Sequence, residues 1–276
     1  MFYLIIATIC FSLSFGLIKN QLSILPSEFV VFFRLIPAAL IFLPFFKKLS
    51  IKNHLKAFFI GMIQFGVMYL CFIKAFKFLQ GNEIAILTTT TPVFVAIWSS
   101  LLGEKFKPVY ILCILMSVIG AGIIVWSNVT FDVMVKGIVL MESCNCSFAL
   151  GQVLWKKYID SKDEYLMTSA YLGAALFILP FVLFNVDFSS FVITKGQIFS
   201  LLYLAVIPTG LGFWLWNKGA QKVKYSTLAV MNNLKIPMGV LFAIFIFQEK
   251  INLANFLIGT LIIISSIFIL HYFSKN

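Results

Sequence analysis

The stretch NNLKIPMGVLFAIFIFQEK, Asn232 to Lys250, decides how this chain is read. A helix rises about 1.5 Å per residue, so this run is long enough to cross a hydrocarbon core of about 30 Å. Yet Lys235 stands well inside it, after Asn232 and Asn233 and before Pro237. An earlier stretch, TTTTPVFVAIWSSLLGEK from Thr88 to Lys105, has the same layout, with Thr90 in the place of Lys235. Pro92 and Pro237 are 145 residues apart, and the same offset relates Glu104 to Glu249, Ala75 to Ala220 and Lys77 to Lys222. The chain therefore carries an internal repeat, which takes precedence over any single short motif.

The composition around these twins is that of a membrane protein. Of 276 residues, 61% are hydrophobic, 11% are charged and 32 are Phe. A soluble domain has about 45–50% apolar and about 25% charged residues. Apolar runs between polar breaks define ten candidate spans, at 2–18, 27–46, 55–76, 83–102, 108–126, 137–156, 165–185, 196–217, 225–247 and 252–272. The connections are too short for a soluble domain. The first run has no basic n-region and no small-residue cleavage site, so it reads as a retained span. The expected fold class is an all-α integral membrane protein with ten transmembrane helices, split into repeats at 1–126 and 137–272. Five spans is an odd number, so the second repeat enters the membrane inverted, the arrangement of many secondary transporters.

The net charge of +11 does not point to nucleic acid, because the lysines crowd into short loops. Lys47, Lys48, Lys52, Lys56, Lys105, Lys107, Lys156, Lys157, Lys162, Lys218, Lys222, Lys224 and Lys275 fall on one side of the ten-span arrangement. By the positive-inside rule that side, with both termini, is cytoplasmic. The five Cys all lie in apolar runs, and Cys144 and Cys146 point different ways on a helix, so no metal site is expected.

FSLSFGLIK in the first span, Ala75 in KAFKFL, Pro92 in the fourth span and LLGEK at its end, repeated through Ala220, Pro237 and FQEK, resemble the drug/metabolite transporter superfamily. More narrowly, the chain resembles its ten-span members with two EamA repeats. Gln248 replaces the usual Gly before Glu249. The resemblance implies an inner-membrane carrier for small metabolites such as amino acids or other organic ions. VMNNLKIP further resembles the carboxylate/amino acid/amine branch, which includes biotin-like substrates.

Arg34, Glu142 and Lys235 are the ionisable residues placed deep in spans. A charge at the bilayer centre costs at least ~2.5–3.5 kcal/mol, so such residues face the protein interior or a wet cavity and are functional candidates. Their depths are roughly 10 Å, 8 Å and 15 Å at 1.5 Å per residue. Two cations and one carboxylate leave a cation over. A substrate anion can supply the missing charge, with Lys235 and Arg34 as its partners. Arg34 is the only Arg in the chain and carries a planar fork suited to carboxylates. The competing structural readings pair Glu142 with Lys235 or Arg34 as a lock between helices, or let Arg34 snorkel toward Glu28. Glu142 is also the candidate site for a coupling proton.

Gln64, Thr88 to Thr91, Asn145, Gln152, Asn232 and Asn233 are the uncharged polar groups at compatible depth; each is a candidate lining group or a hydrogen bond between helices. Pro208, Gly210 and Gly212 are expected to break the eighth span and free backbone carbonyls. Trp214 and Trp216 read as aromatic-belt residues in preference to gating residues, and Trp155 as a belt residue too. Glu104 and Glu249 are expected to cap the following helices. No phosphate-binding loop, GxSxG, HExxH or histidine cluster is present, which argues against an enzyme. The expected function is therefore a secondary transporter of an amino acid, carboxylate or related organic ion, with lipid and a small-molecule substrate as partners and no cofactor. An importer of a vitamin-like carboxylate such as biotin, or a channel or structural membrane protein, are the alternatives.

Overall fold

The structure is a computed structural model describing residues 1–47, 49–79, 81–105, 107–125, 135–159, 163–245 and 252–275. Among the described residues there is no strand. The principal helices are α1 (Phe2–Ser12), α2 (Ser27–Phe45), α3 (Ile51–Ala75), α4 (Gly81–Thr88), α5 (Thr91–Leu101), α6 (Pro108–Val125), α7 (Val135–Tyr158), α8 (Met167–Asn185), α9 (Lys195–Gln221), α10 (Tyr225–Met231), α11 (Lys235–Phe245) and α12 (Leu253–Lys275), with short helical turns at Ser14–Leu17 and Ile18–Leu22 after α1. Six helices among the described residues, α2, α3, α7, α8, α9 and α12, are long and apolar enough to cross a membrane.

These helices are apolar on nearly every face. α6 leaves Ile111, Leu112, Leu115 and Ile119 exposed, and α12 leaves Leu257, Ile258, Leu261, Ile264 and Phe268 exposed. Helices apolar all round belong in lipid or a large core. Between apolar helices in lipid, close packing replaces the hydrophobic effect as the force of association, and small residues allow it. α6 and α12 meet in this way: a Cβ on Gly120 or Gly259 would strike the other's backbone oxygen. α8 packs along α2 and α3, while α7 runs through the middle, touching both the second half of α3 and α5.

The spans 83–102 and 225–247, expected as continuous helices, are each broken. The first stops at Thr88 and restarts at Thr91; the second passes through a 3-10 turn, Asn232–Leu234, between α10 and α11. The prolines account for both breaks. Without an N–H, Pro92 cannot bond the carbonyl of Thr88, nor Pro237 that of Asn233, and each ring is tolerated only in the first turn of a new helix. The loose carbonyls find side chains instead. Thr91 Oγ1 donates to Thr88 O at 2.8 Å, Asn145 Nδ2 to Leu87 O at 2.8 Å, and Asn233 Nδ2 to Thr89 O at 3.2 Å. The two breaks thus touch each other.

α3 and α9 are each loosened by a π-helical turn, Met62–Val67 and Ala205–Gly212. Pro208, Gly210 and Gly212 do not break the span, which runs on from Lys195 to Gln221 through the π-turn; within that turn the Tyr171 hydroxyl donates to the carbonyl of Thr209 and, at 3.3 Å, to that of Gly210. Broken helix is tolerated at membrane depth where it is buried in protein or lines a cavity.

Candidate functional site

The breaks and π-turns converge on one cavity of about 80 Å³. Arg34 from α2, Tyr69 and Phe72 from α3, Thr88 from α4, Cys144, Asn145 and Phe148 from α7, Pro208 and Phe213 from α9, and Lys235 from the start of α11 line it. Phe11 and Ser14, from the quoted FSLSFG, close it on the side of α1. Arg34 and Lys235 are therefore brought together, and the walls between them are mainly aromatic. Phe213 stands 4.8 Å from Phe11, 4.9 Å from Phe65 and 5.7 Å from Phe148, centroid to centroid.

Arg34 is 1% exposed and held in a fixed pose. Its Nε donates to Thr209 Oγ1 at 3.1 Å and its Nη2 to the Tyr69 hydroxyl at 2.9 Å, while its guanidinium carbon lies 4.2 Å from the Tyr69 ring centroid. Neutral partners and the ring face hold the cation without neutralising it. Its Nη1 has no hydrogen-bond partner among the described residues. Lys235 is half-buried, with Nζ 5.7 Å from the Phe148 ring centroid. Among the described residues, no carboxylate lies within 4.0 Å of either cation.

Neither of the competing structural pairings of these charges is formed. Glu142 bonds neither cation: its Oε2 accepts from Thr90 Oγ1 at 3.0 Å, beside Asn145, whose Nδ2 donates to the same Thr90 oxygen at 3.0 Å. Glu28 is no snorkelling partner for Arg34, because it pairs with Lys74 at 2.8 Å. Asn145 has its carbonyl taken by Thr91, so it serves the break in the first twin while lining the cavity. Asn233 is buried in the second break, bonded to Thr89 O and, at 3.4 Å, to Ser117 Oγ. Gln64 and Asn232 lie outside the cavity in a second polar layer described below. Pro92 and Pro237 open α5 and α11.

The aromatic-belt reading is corrected for two of its residues. Trp216 is 2% exposed, with Nε1 donating to Gln152 Oε1 at 2.9 Å, and Trp155 is fully buried. Both sit inside the helix bundle because α9 and α7 turn these faces toward each other. Trp214 is half-buried, next to Lys218 and donating to Glu164 at 3.3 Å. Glu104 is exposed, and among the described residues its carboxylate takes no hydrogen bond from the first turn of α6. It lies instead on a wider pocket of about 400 Å³ with Lys105, Lys156, Lys222 and Lys224, which contains none of the deep charges. Glu249 lies outside the described residues.

Tyr69, Thr209, Phe148 and Phe213 are the functional candidates that sequence reasoning missed. Tyr69 could have been found as a phenol placed within the third span, where a buried hydroxyl needs a hydrogen-bond partner. The two phenylalanines could not, among 32.

Comparisons with known proteins identify the family. The EamA-like transporter family matches residues 1–126 and again residues 135–271. A protein of Pseudomonas aeruginosa named as a probable biotin transporter is 32% identical over 275 residues, covering 97% of this chain and 96% of its own length. A biotin transporter of Escherichia coli K12 is likewise 32% identical over 275 residues, covering 96% and 91%. A solved protein crystal structure superposes with a TM-score of 0.80, covering 99% of this chain and 96% of that one, at 14% identity, a likeness of fold alone.

Proposed function

The chain belongs to the EamA-like transporter family of the drug/metabolite transporter superfamily, multi-pass membrane transporters and not enzymes, and on that premise we propose that it is an alternating-access carrier for a small carboxylate with an apolar body, biotin or a close analogue. The observation that carries this reading is the pair of cations, Arg34 and Lys235, on one aromatic cavity with no carboxylate among the described residues within 4.0 Å of either. A substrate carboxylate would complete both: the free Nη1 of Arg34 and the ammonium of Lys235 are charge-assisted donors. Phe148 and Phe213 would take its apolar chain. The names of the relatives supply the most specific candidate with this chemistry.

Ten spans in two inverted repeats, at 1–126 and 137–272, account for the rest. The broken twins α4–α5 and α10–α11 are the fourth and ninth spans, placed where discontinuous helices of inverted-repeat carriers meet the substrate near the midplane. The cavity of about 80 Å³ is below the ~300–1,000 Å³ of an open ligand pocket, so rocking of one repeat against the other would admit the substrate. The lysine-rich loops support an inner-membrane placement with both termini cytoplasmic. Glu142, bonded to Thr90 and to neither cation, is the candidate for a coupling proton. Labelled biotin in proteoliposomes tests the reading. A carrier gives saturable uptake accelerated by unlabelled biotin inside. A linear, unsaturated flux with ohmic current would establish a channel instead.

A further inference from the structure

A second buried polar layer lies one helical turn beyond the aromatic floor of the cavity. Gln152 follows Phe148 on α7, and Trp216 and Asn217 follow Phe213 on α9. Gln64, in the π-turn of α3, and Asn232, at the end of α10, complete it. All five are at most 2% exposed. Trp216 Nε1 and Asn232 Nδ2 both donate to Gln152 Oε1, at 2.9 and 3.3 Å, and Gln64 Nε2 donates to Asn217 Oδ1 at 2.8 Å. Gly151 lets α7 approach this layer, since a Cβ there would collide with Gln64.

These bonds leave four polar atoms without a partner among the described residues: Gln64 Oε1, Asn232 Oδ1, Gln152 Nε2 and Asn217 Nδ2. Buried polar side chains are normally paired, and amides serving only as glue between helices would satisfy one another. Here two acceptors and two donors remain over. The layer is also in line with the cations: Lys235 Nζ is 5.7 Å from the Phe148 ring, which is 6.0 Å from the Trp216 ring, which bonds Gln152. From Asn145 to Gln152 along α7 is about 10 Å at the helical rise.

We propose that this amide layer is the second half of the substrate site and takes a cyclic ureido group, at the opposite end of the molecule from the carboxylate. A ureido group offers two N–H donors and one carbonyl oxygen with two lone pairs. That set complements the two unpartnered acceptors and two unpartnered donors. Phe148 and Phe213 stand between the two polar ends, packed edge to face with ring centroids 5.7 Å apart, so the rings would part to let an alkyl chain pass. The cations then select for an acid, and the amides select among acids. This assignment rests on the carboxylate-carrier reading above.

The test is competition against labelled biotin uptake by the full chain in proteoliposomes, using two acids of equal chain length. Desthiobiotin keeps the ureido ring; a thiolane-terminated alkyl acid lacks it. The unaltered chain is expected to prefer desthiobiotin by at least about tenfold, the loss expected when hydrogen bonds to a buried site go unmade. In Gln152→Leu and Asn232→Leu the two acids should compete within about twofold of each other. Equal competition in the unaltered chain would overturn the ureido assignment while leaving the carboxylate carrier intact, and so would full preference in both variants. If neither acid competes, both readings fall. Should a variant not fold, the comparison in the unaltered chain still decides.

Discussion

Replacing Lys235 with Met separates a binding role from a structural one. Methionine keeps most of the side-chain volume against Phe148 and removes the ammonium. Lys235 has no carboxylate within 4.0 Å among the described residues, so its loss strands no partner. Breaking a buried ion pair would cost about 3–5 kcal/mol of stability. Here the variant instead escapes the ~2.5–3.5 kcal/mol insertion cost of a central charge. Thermal unfolding in detergent, without substrate, should therefore stay the same or move upward. Substrate binding should respond in the opposite direction. A hydrogen bond to a charged group contributes about 1.5–3 kcal/mol, and each 1.4 kcal/mol is about tenfold in affinity. Half-saturation for biotin uptake should rise by roughly ten- to 150-fold in Lys235→Met. Uptake by purified protein in liposomes, with the melting curve from the same preparation, reads both quantities. Unchanged half-saturation, or a large loss of stability, would refute the reasoning.

Further outcomes follow from the same contacts. Arg34→Lys keeps the charge but loses the planar fork that bonds Thr209 and Tyr69 while aiming a further N–H in a fixed direction, so half-saturation should rise about tenfold in the same uptake assay. Glu142→Gln keeps a hydrogen-bond acceptor for Thr90 but holds no titratable proton; if Glu142 carries the coupling proton, uptake should lose its response to an imposed pH gradient while counterflow persists. Gly259→Leu drives a side chain into Gly120 and Ile124, which should lower the melting temperature through overpacking of about 1–3 kcal/mol without changing substrate preference.

The membrane class and the presence of charges inside apolar runs were legible because both depend on residue type and spacing. An apolar run of span length has few alternatives, and a charge inside it is conspicuous. Pro92 and Pro237 marked the breaks in advance, yet the broken geometry was not read from them, because neighbouring carbonyls at the first break are caught by residues distant in sequence. Thr89 is bonded by Asn233, and Leu87 by Asn145. Partner choice was illegible for the same reason. Depth alone allowed Glu142 to reach Lys235 or Arg34, but the helix face decides, and it turns Glu142 to Thr90. Trp216 shows the limit of the belt rule: position near a span end says nothing of whether a residue faces lipid or a neighbouring helix. The amide layer draws on α3, α7, α9 and α10, and no local pattern joins them.

The central claim is that the two cations await a substrate carboxylate. Competition of labelled biotin uptake by biotin and by its methyl ester tests this most directly, since the ester replaces the charge at that end with a methyl group and leaves the rest of the molecule unchanged. The acid should compete at its own half-saturation, and the ester should fail to compete at about a hundredfold higher concentration. Equal competition by acid and ester would contradict the account.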